Sequence, residues 1–409
     1  MAREYKDVVV GLDIGTAKVM AVVAEVLPNG ALKLAGLGVA PSNGLKRGVV
    51  VNIDATVQSI QQALKEAELM ADCKIQRVYT GITGSHIRGQ NSRGMVAIKD
   101  KEVTATDVAR VVETAKAISI SSDQRLLLVE PQEFIIDGQE VKEPIGMSGI
   151  RLEANIHIVT GAQSAAENII KCVRRCGLEV EQLMLNPLAS SQAVLTDDER
   201  ELGVAVVDIG AGTTDVAIFT GGAIRHTAVI PAAGDLITSD IAMALRTPTK
   251  EAEDIKLVHG CALMQLANPA DMIDVPGVGE RGPRQLSRAT LAEVIEPRVE
   301  ELFQLIQQEL RRTGFEDVLS SGIVLTGGAA KMPGMMELAE EVFHMPVRVG
   351  VPKYFGGLAE VVKDPRFSTS IGLLLIGKDQ LQKTAGPKLE SASVGGLFTR
   401  MKAWFAGNF

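Results

Sequence analysis

The sequence predicts an α/β protein of two lobes, with an inserted α+β module and an amphipathic helix at its C-terminal end. Three observations carry this reading. One unit occurs twice: a Val-rich strand, an Asp-Ile-Gly turn and a second apolar strand, at 7–26 (DVVVGLDIGTAKVMAVVAEV) and again at 204–219 (VAVVDIGAGTTDVAIF). A repeat nearly half a chain apart argues for lobes built from related units. Hydrophobic residues make up 46% of the chain but aromatics only 3%, and many Val, Ile, Ala and Gly suit α/β architecture. The length, 409 residues, exceeds what a single core usually holds.

Each copy of the repeat reads as strand, tight turn, strand. In the second copy Asp208 ends the strand, and Gly210, Ala211, Gly212, Thr213 and Thr214 follow. Glycines let the backbone come close to a ligand, and such a turn aims several N–H groups at one point, which suits a phosphate. Asp208 and its counterpart Asp13 stand at strand ends, where a carboxylate can hold a hydrated Mg²⁺. A lone glycine-rich turn often just joins two strands. The echo at Gly15, Thr16, Ala17 and Lys18 changes its meaning, because two acid-bearing turns face to face would clamp a triphosphate and its metal.

The remaining elements follow in order. A strand is expected at 31–39, a polar loop with a short strand at 42–51, a helix at 53–70 and a strand at 77–82. From 85 to 161 the texture changes. Short strands at 95–98, 126–134 and 152–159 surround one amphipathic helix at 105–118, and no phosphate-type turn occurs. Alternating Leu152, Ala154, Ile156 and Ile158 mark a half-buried antiparallel strand. Such a module serves either as a spacer or as a contact surface for other chains. A helix at 164–176, a strand at 180–185 and a helix from Asn186 to Ala193 come next, and the charge run DDERE at 197–201 reads as a solvated loop.

Beyond the repeat, a strand is expected at 222–229. Gly234 and Asp235 precede a helix at 236–245, whose free N–H groups favour phosphate. Glu253 and Lys256 share one helical face, either as a surface ion pair or as a grip on a nucleotide's sugar and base edge. Residues 268–283 read as loop and 290–312 as a long amphipathic helix. The strand 322–326 enters Gly327 and Gly328, which allow close approach of a flat base or sugar, with Lys331 just beyond. Helices at 335–343 and 368–376 follow, then a polar tether from 378 to 396. In the last fourteen residues Leu397, Phe398, Met401, Trp404 and Phe405 recur at helical spacing, flanked by Arg400 and Lys402. Such a helix is too short to cross a bilayer. It can lie in the membrane interface or dock on the protein's own core.

Composition narrows the function classes. A net charge of −8 argues against a general nucleic-acid binder. No signal peptide and no membrane-spanning apolar run are visible. Four scattered cysteines include Cys172 and Cys176 one helical turn apart, readable as a metal pair or as buried thiols, and the lack of a partner motif favours thiols. The expectation is a reduced, soluble, cytoplasmic protein.

The motifs GLDIGTAKV, VVDIGAGTTDV and IVLTGGAAKMPG resemble the two phosphate motifs and the adenosine motif of the actin–Hsp70–sugar kinase superfamily. NPLASSQAVL and STSIGLLL resemble its two connecting helices. Within that superfamily the chain resembles the FtsA family of bacterial division proteins along nearly its whole length. SNGLKRGVVVNI, the insert, RHTAVIPAAGDLITSDIA, AEVIEPR and the tethered terminal helix carry that narrower likeness. The resemblance implies two RNase H-like domains: lobe 1 from 1–84, 162–193 and about 360–378, with an insert at 85–161; lobe 2 from 194–232 and 313–359, with a subdomain at 233–312; then a linker at 379–395 and a membrane-targeting helix at 396–409. It implies ATP and Mg²⁺ in the cleft, Asp13 and Asp208 acting through water, and phosphates cradled by Gly15, Thr16, Gly210, Gly212 and Thr213. Lys18 would reach a phosphate, Glu253 and Lys256 would touch ribose and adenine, and Gly327 and Gly328 would pack on the nucleoside. It also implies filament formation, binding of the C-terminal tail of the tubulin-like protein FtsZ, recruitment of later division proteins, and a place at the inner face of the cytoplasmic membrane. The FtsZ site is expected around 235–310, on a basic face with Arg281, Arg284 and Arg288.

One departure stands out. Related filament proteins often carry Glu where this chain has Asn186, and Asn cannot accept a proton at neutral pH. The expectation is ATP binding with slow hydrolysis, since general-base help is worth about 10²–10⁴ in rate. The other readings are an actin-like ATPase of another envelope machine, such as a pilus platform, or a kinase on the same fold. The kinase lacks a candidate base.

Overall fold

The computed structural model describes residues 8–279, 282–353, 356–357 and 359–384. The expected terminal helix at 396–409, its tether from 385 onward and Arg281 lie outside the described residues.

The repeat is a duplication of topology. In lobe 1 the antiparallel strands Val8–Ile14, Lys18–Val26 and Leu32–Pro41 are followed by Arg77–Ile82 and Glu179–Leu185, which run parallel beside Val8–Ile14. In lobe 2 the antiparallel strands Val204–Ile209, Thr214–Thr220 and Ala223–Ile230 are followed by parallel Ile323–Thr326 and Val347–Val349. Counted within each lobe, both sheets have the order 3-2-1-4-5, and lobe 1 adds the short strand Gly356–Gly357 at its edge. Both Asp-Ile-Gly strands are therefore central. Val204, Ala205, Val206 and Val207 are fully buried, as an apolar run covered on both faces requires.

Between the sheets lie two helices, Asn186–Val194 and Ser368–Thr384. One apolar cluster joins Val22 and Leu34 of lobe 1, Ala189 and Leu373 of these helices, and Val206 and Ala217 of lobe 2. The helices cross so closely that a Cβ on Gly372 would sit 1.7 Å from the Ala189 carbonyl oxygen. The insert is a four-stranded antiparallel sheet of Arg88–Ala97, Arg151–Ala162, Gln124–Ile136 and Gln139–Val141, in that order, covered by the helix Ala105–Ala115. Val108, Val111, Val112, Phe134 and Ile156 form its own core.

Four expectations need correction. The charge run 197–201 is a helix, Asp197–Leu202. Thr196 and Glu199 form a capping box, with Glu199 N donating to Thr196 Oγ1 at 3.2 Å and Thr196 N to Glu199 Oε2 at 2.8 Å. That box is readable in the sequence as T-x-x-E. Residues 268–283 are not all loop, since Met272–Val275 pairs with Arg284–Ser287 as a hairpin. The final helix runs through Thr384, so residues 379–384 are helical and not linker. Helix Ala105–Ala115 ends before Ile118. All four cysteines are free; Cys172 is buried and Cys176 half-buried, and the Cys176 thiol lies 3.3 Å from the Cys172 carbonyl oxygen. Among the described residues no helix is long and apolar enough to cross a membrane.

Candidate functional site

The two turns have one geometry. Gly15 N donates to the Lys18 carbonyl and Gly210 N to the Thr213 carbonyl, each at 3.0 Å. In register, Asp13 faces Met20 and Asp208 faces Asp215 across their hairpins. Lys18 thus occupies the position of Thr213 and opens its strand, where the sequence suggests a turn residue. The turns meet across the lobes: a Cβ on Gly212 would lie 2.7 Å from Thr16 Oγ1 and 2.9 Å from Arg47 Cα. Thr16 Oγ1 is held by the Gly48 N–H at 3.1 Å. Glycine at 212 is what lets the jaws touch.

Behind the turns three carboxylates are buried together. Burial, then the Asp208 charge, raises Asp13 to about 7. Burial raises Asp208 to about 6, although Thr369 and Ser190 donate to it. Asp215 rises to about 8 through burial and then repulsion from Asp208 and Asp13. Such a cluster in a dry cleft is relieved by protonation or by a cation. Sequence reasoning misses Asp215, although it sits inside the VVDIGAGTTDV motif, because its importance arises from pairing. Thr83 of lobe 1 donates to Asp215 across the cleft, and Thr369 Oγ1 donates to Asp208 Oδ2 at 3.0 Å. Among the described residues no three His, Cys, Asp or Glu side chains are arranged to ligate a metal directly.

The other expected residues divide. Gly234 N and Asp235 N donate to the Gly210 and Ala211 carbonyls at 3.1 and 2.8 Å. Those two N–H groups brace the phosphate turn from behind and are not free donors. Thr214 is fully buried and gives its hydroxyl to the Ala232 carbonyl at 2.7 Å, so it too is structural. Lys256 is a buried ammonium, with Glu253 at 2.7 Å, Thr238 Oγ1 at 2.7 Å and the Gly234 carbonyl at 3.1 Å. Lys256 itself is buried while Glu253 is partly exposed, and the ammonium ties helix Thr249–His259 to helix Gly234–Ala244. Gly327 has φ +86°, and a Cβ there would lie 2.4 Å from Asp208 Oδ1. At Gly328 a Cβ would meet only Arg366 Cβ, at 3.9 Å. Lys331 pairs with Asp364 at 2.5 Å, and Arg366 Nε lies 3.4 Å from the same carboxylate. Burial, then the Arg366 charge, depresses the Lys18 pKa, with Lys331 adding to this and Asp364 and Glu253 opposing it. Both lobes therefore bring cations to one mouth, and Arg366 and Asp364 join the site although no motif announced them.

Asn186 is buried at the start of its helix, and its Oδ1 has no hydrogen-bond partner. A buried acceptor without a donor is costly, which suits a position that a water or ligand donor completes.

Of the expected basic face, Arg281 lies outside the described residues, Arg284 is exposed and Arg288 half-buried. Arg284 donates to the Leu245 carbonyl, and Arg288 Nε donates to the His259 carbonyl at 2.9 Å. Both guanidinium groups cap the carboxyl ends of helices, where cations are favoured. This subdomain also presents a groove of about 360 Å³ between helices Gly234–Ala244 and Arg288–Thr313, lined by Asp240, Met243, Ala244, Val294, Pro297, Arg298 and Glu301.

Two sheets of one topology, two glycine turns meeting across a cleft and two helices running between the lobes define an actin-like ATPase fold. Solved structures agree: a PilM–PilN type IV pilus biogenesis complex matches with a TM-score of 0.66 at 19% identity, covering 90% of this chain and 98% of that one. MreB5 of Spiroplasma citri bound to ADP matches at 0.57 and 14% identity, over 93% and 99%. The Cell division protein FtsA of Pseudomonas aeruginosa is 56% identical over 98% of both chains. The family described as Cell division protein FtsA matches residues 205–372, and that described as the SHS2 domain inserted in FTSA matches 84–160. The chain belongs to the FtsA family of cell division proteins. Identity along its whole length places it there and not with the pilus proteins, which share only the fold.

Proposed function

We propose that this protein is an ATP-dependent filament protein that tethers FtsZ to the cytoplasmic membrane at the division site and brings later division proteins to it. The observation that carries the nucleotide reading is the contact of Gly212 with Thr16 above three buried carboxylates: two backbone cradles face each other with a built-in demand for positive charge. The ADP bound to MreB5, which shares this fold, supports the same reading. A bound Mg²⁺ would neutralise phosphate charge, and Asp13 and Asp208 would orient it through its water shell. Gly15, Thr16, Gly210, Gly212 and Thr213 would cradle phosphates, Lys18 would neutralise one, and Gly327, Gly328 and Lys331 would bound the nucleoside. Asn186 would accept a hydrogen bond from a water without taking its proton, so hydrolysis is slow and the cleft serves mainly to hold ATP.

The terminal helix supplies the membrane contact in this reading. Deleting residues 396–409 is expected to abolish cosedimentation with anionic liposomes while ATP binding persists, with the apolar face and about 1 kcal/mol per basic residue both removed. Unchanged sedimentation would refute the anchor.

The FtsZ tail is assigned to the groove between Gly234–Ala244 and Arg288–Thr313. Exposed Met243, with Val294 and Pro297, offers apolar contact, and Asp240, Arg298 and Glu301 offer a polar rim, the combination that seats a short peptide. Arg298 is paired with both Asp240 and Glu301. Arg298→Glu places three like charges together and is expected to weaken tail-peptide binding at least about tenfold by fluorescence anisotropy. Equal affinity would move the site elsewhere.

A further inference from the structure

We propose that the inserted module is a clasp between the lobes: it is rooted in lobe 1 and hooks the outer strand of lobe 2, so that the cleft opens only when the hook releases. The inference rests on the two-lobed cleft described above.

The root is apolar. The chain leaves lobe 1 through Thr83 and Gly84 and returns through Gly161 and Ala162. Ile87 and Val159 at the base of the insert are buried in the lobe 1 core, with Leu127 and Leu128 packed against it. The hook is polar. Asn91 Nδ2 donates to the Arg225 carbonyl at 3.1 Å, and Gln132 Nε2 donates to the Ile224 carbonyl at 2.9 Å. His157 is fully buried between Asn91 Oδ1 at 2.7 Å and Thr227 Oγ1 at 2.9 Å. An amide oxygen only accepts, so His157 carries its proton on Nδ1, and Nε2 accepts the Thr227 hydroxyl. Glu133 and Arg225 flank the contact at 3.2 Å, and Lys142 reaches Glu201 of lobe 2 at 2.6 Å.

The contact is also close-packed. A Cβ on Gly89 would stand 2.6 Å from Thr227 Oγ1 and 3.0 Å from His157 Cε1. Side chain and backbone therefore interlock, and although Asn91 is exposed, partial separation would strand the buried His157 imidazole and Thr227 hydroxyl before water could reach them. That favours two states, with His157 and Thr227 either paired and buried or separated and hydrated, over gradual slippage. The root also touches the cleft itself, because Thr83, one residue before Gly84, donates to Asp215. A partner that binds the insert and favours the closed hook would tighten nucleotide binding, and by linkage the nucleotide would tighten the partner.

The test uses the full chain in a Cys73→Ser, Cys176→Ser background, spin-labelled pairwise at Lys33 (lobe 1), Glu113 (insert) and Glu337 (lobe 2). Unhooking by Thr227→Val with Gln132→Ala is expected to broaden the lobe 1–lobe 2 and insert–lobe 2 distances without nucleotide, leaving insert–lobe 1 narrow. Gly89→Ala approaches the same contact from the insert side and is expected to do likewise. With a fluorescent ATP analogue, release should quicken about tenfold, the scale of one or two hydrogen bonds. An unchanged lobe 1–lobe 2 distance in both folded variants, or broadening confined to insert–lobe 1, overturns the clasp. Because the distances are measured without nucleotide, they decide the clasp on their own, and a failure to bind ATP would sink the nucleotide reading alone.

Discussion

Asp208→Asn is expected to lose ATP–Mg²⁺ binding while making the ligand-free protein more stable. In the folded protein Asp13, Asp208 and Asp215 titrate at about 7, 6 and 8, against an ordinary 3.8. A carboxylate raised in this way binds protons more tightly folded than unfolded. Its favourable contribution is full below pH 4 and is lost as pH rises through the folded value. The ligand-free wild type should therefore lose stability between about pH 4 and pH 8. Asparagine at 208 removes one charge and relieves Asp13 and Asp215, whose values Asp208 helps to raise. The variant's ligand-free Tm at pH 8 should rise by about 2–4 °C. The stabilisation by ATP–Mg²⁺, about 2.7 kcal/mol for wild type at a hundred times the dissociation constant, should vanish. Thermal melts at pH 5 and 8, with and without nucleotide, check both halves. A variant that melts lower and still responds to nucleotide would contradict this account.

Gly327→Ala should be the more damaging of two adjacent substitutions. Gly327 has φ +86° and ψ 169°, a region that only glycine occupies readily. An added Cβ would meet Asp208 Oδ1 at 2.4 Å and the Ile209 carbonyl oxygen at 2.5 Å. Strain and clash together should cost about 2–4 kcal/mol and displace the carboxylate that the cleft depends on. Gly328→Ala, next door, meets only Arg366 Cβ at 3.9 Å. It should leave the melting temperature close to wild type and weaken only nucleotide affinity. Urea unfolding and nucleotide titration of the pair separate fold from site. Equal stability for both would refute the steric argument.

Sequence reasoning succeeds where chemistry is local. The duplicated Asp-Ile-Gly hairpins, the linking helices and the insert are written in short apolar runs and turns; the hairpins lie within a few residues of their expected places, while the second linking helix runs eight residues further and the first insert strand starts seven residues earlier than expected. Asp13, Asp208 and the glycines of both turns are legible because motif and geometry coincide there. The misses have physical causes. Thr196 caps a helix beneath a run of charges that resembles a loop, and Arg348 holds its Glu199 at 2.6 Å from another part of the chain. Arg284 and Arg288 also hydrogen-bond the ends of helices 29 to 39 residues away in sequence, a contact that no local pattern shows. Asp215 looks like an ordinary strand residue until Thr83, 132 residues away, donates to it.

By itself, then, the sequence determined the two-lobed α/β plan, the facing glycine turns and the pair of acids at the strand ends, because periodicity and turn chemistry act over a few neighbouring residues. Only the tertiary structure decided that Lys256 is buried, that Gly234 and Asp235 brace a turn, that Asp215 and Arg366 belong to the cleft, and that the insert reaches across to lobe 2. Those facts depend on which distant groups share a low-dielectric interior. Burial and pairing there set both charge state and role, and no local pattern encodes them.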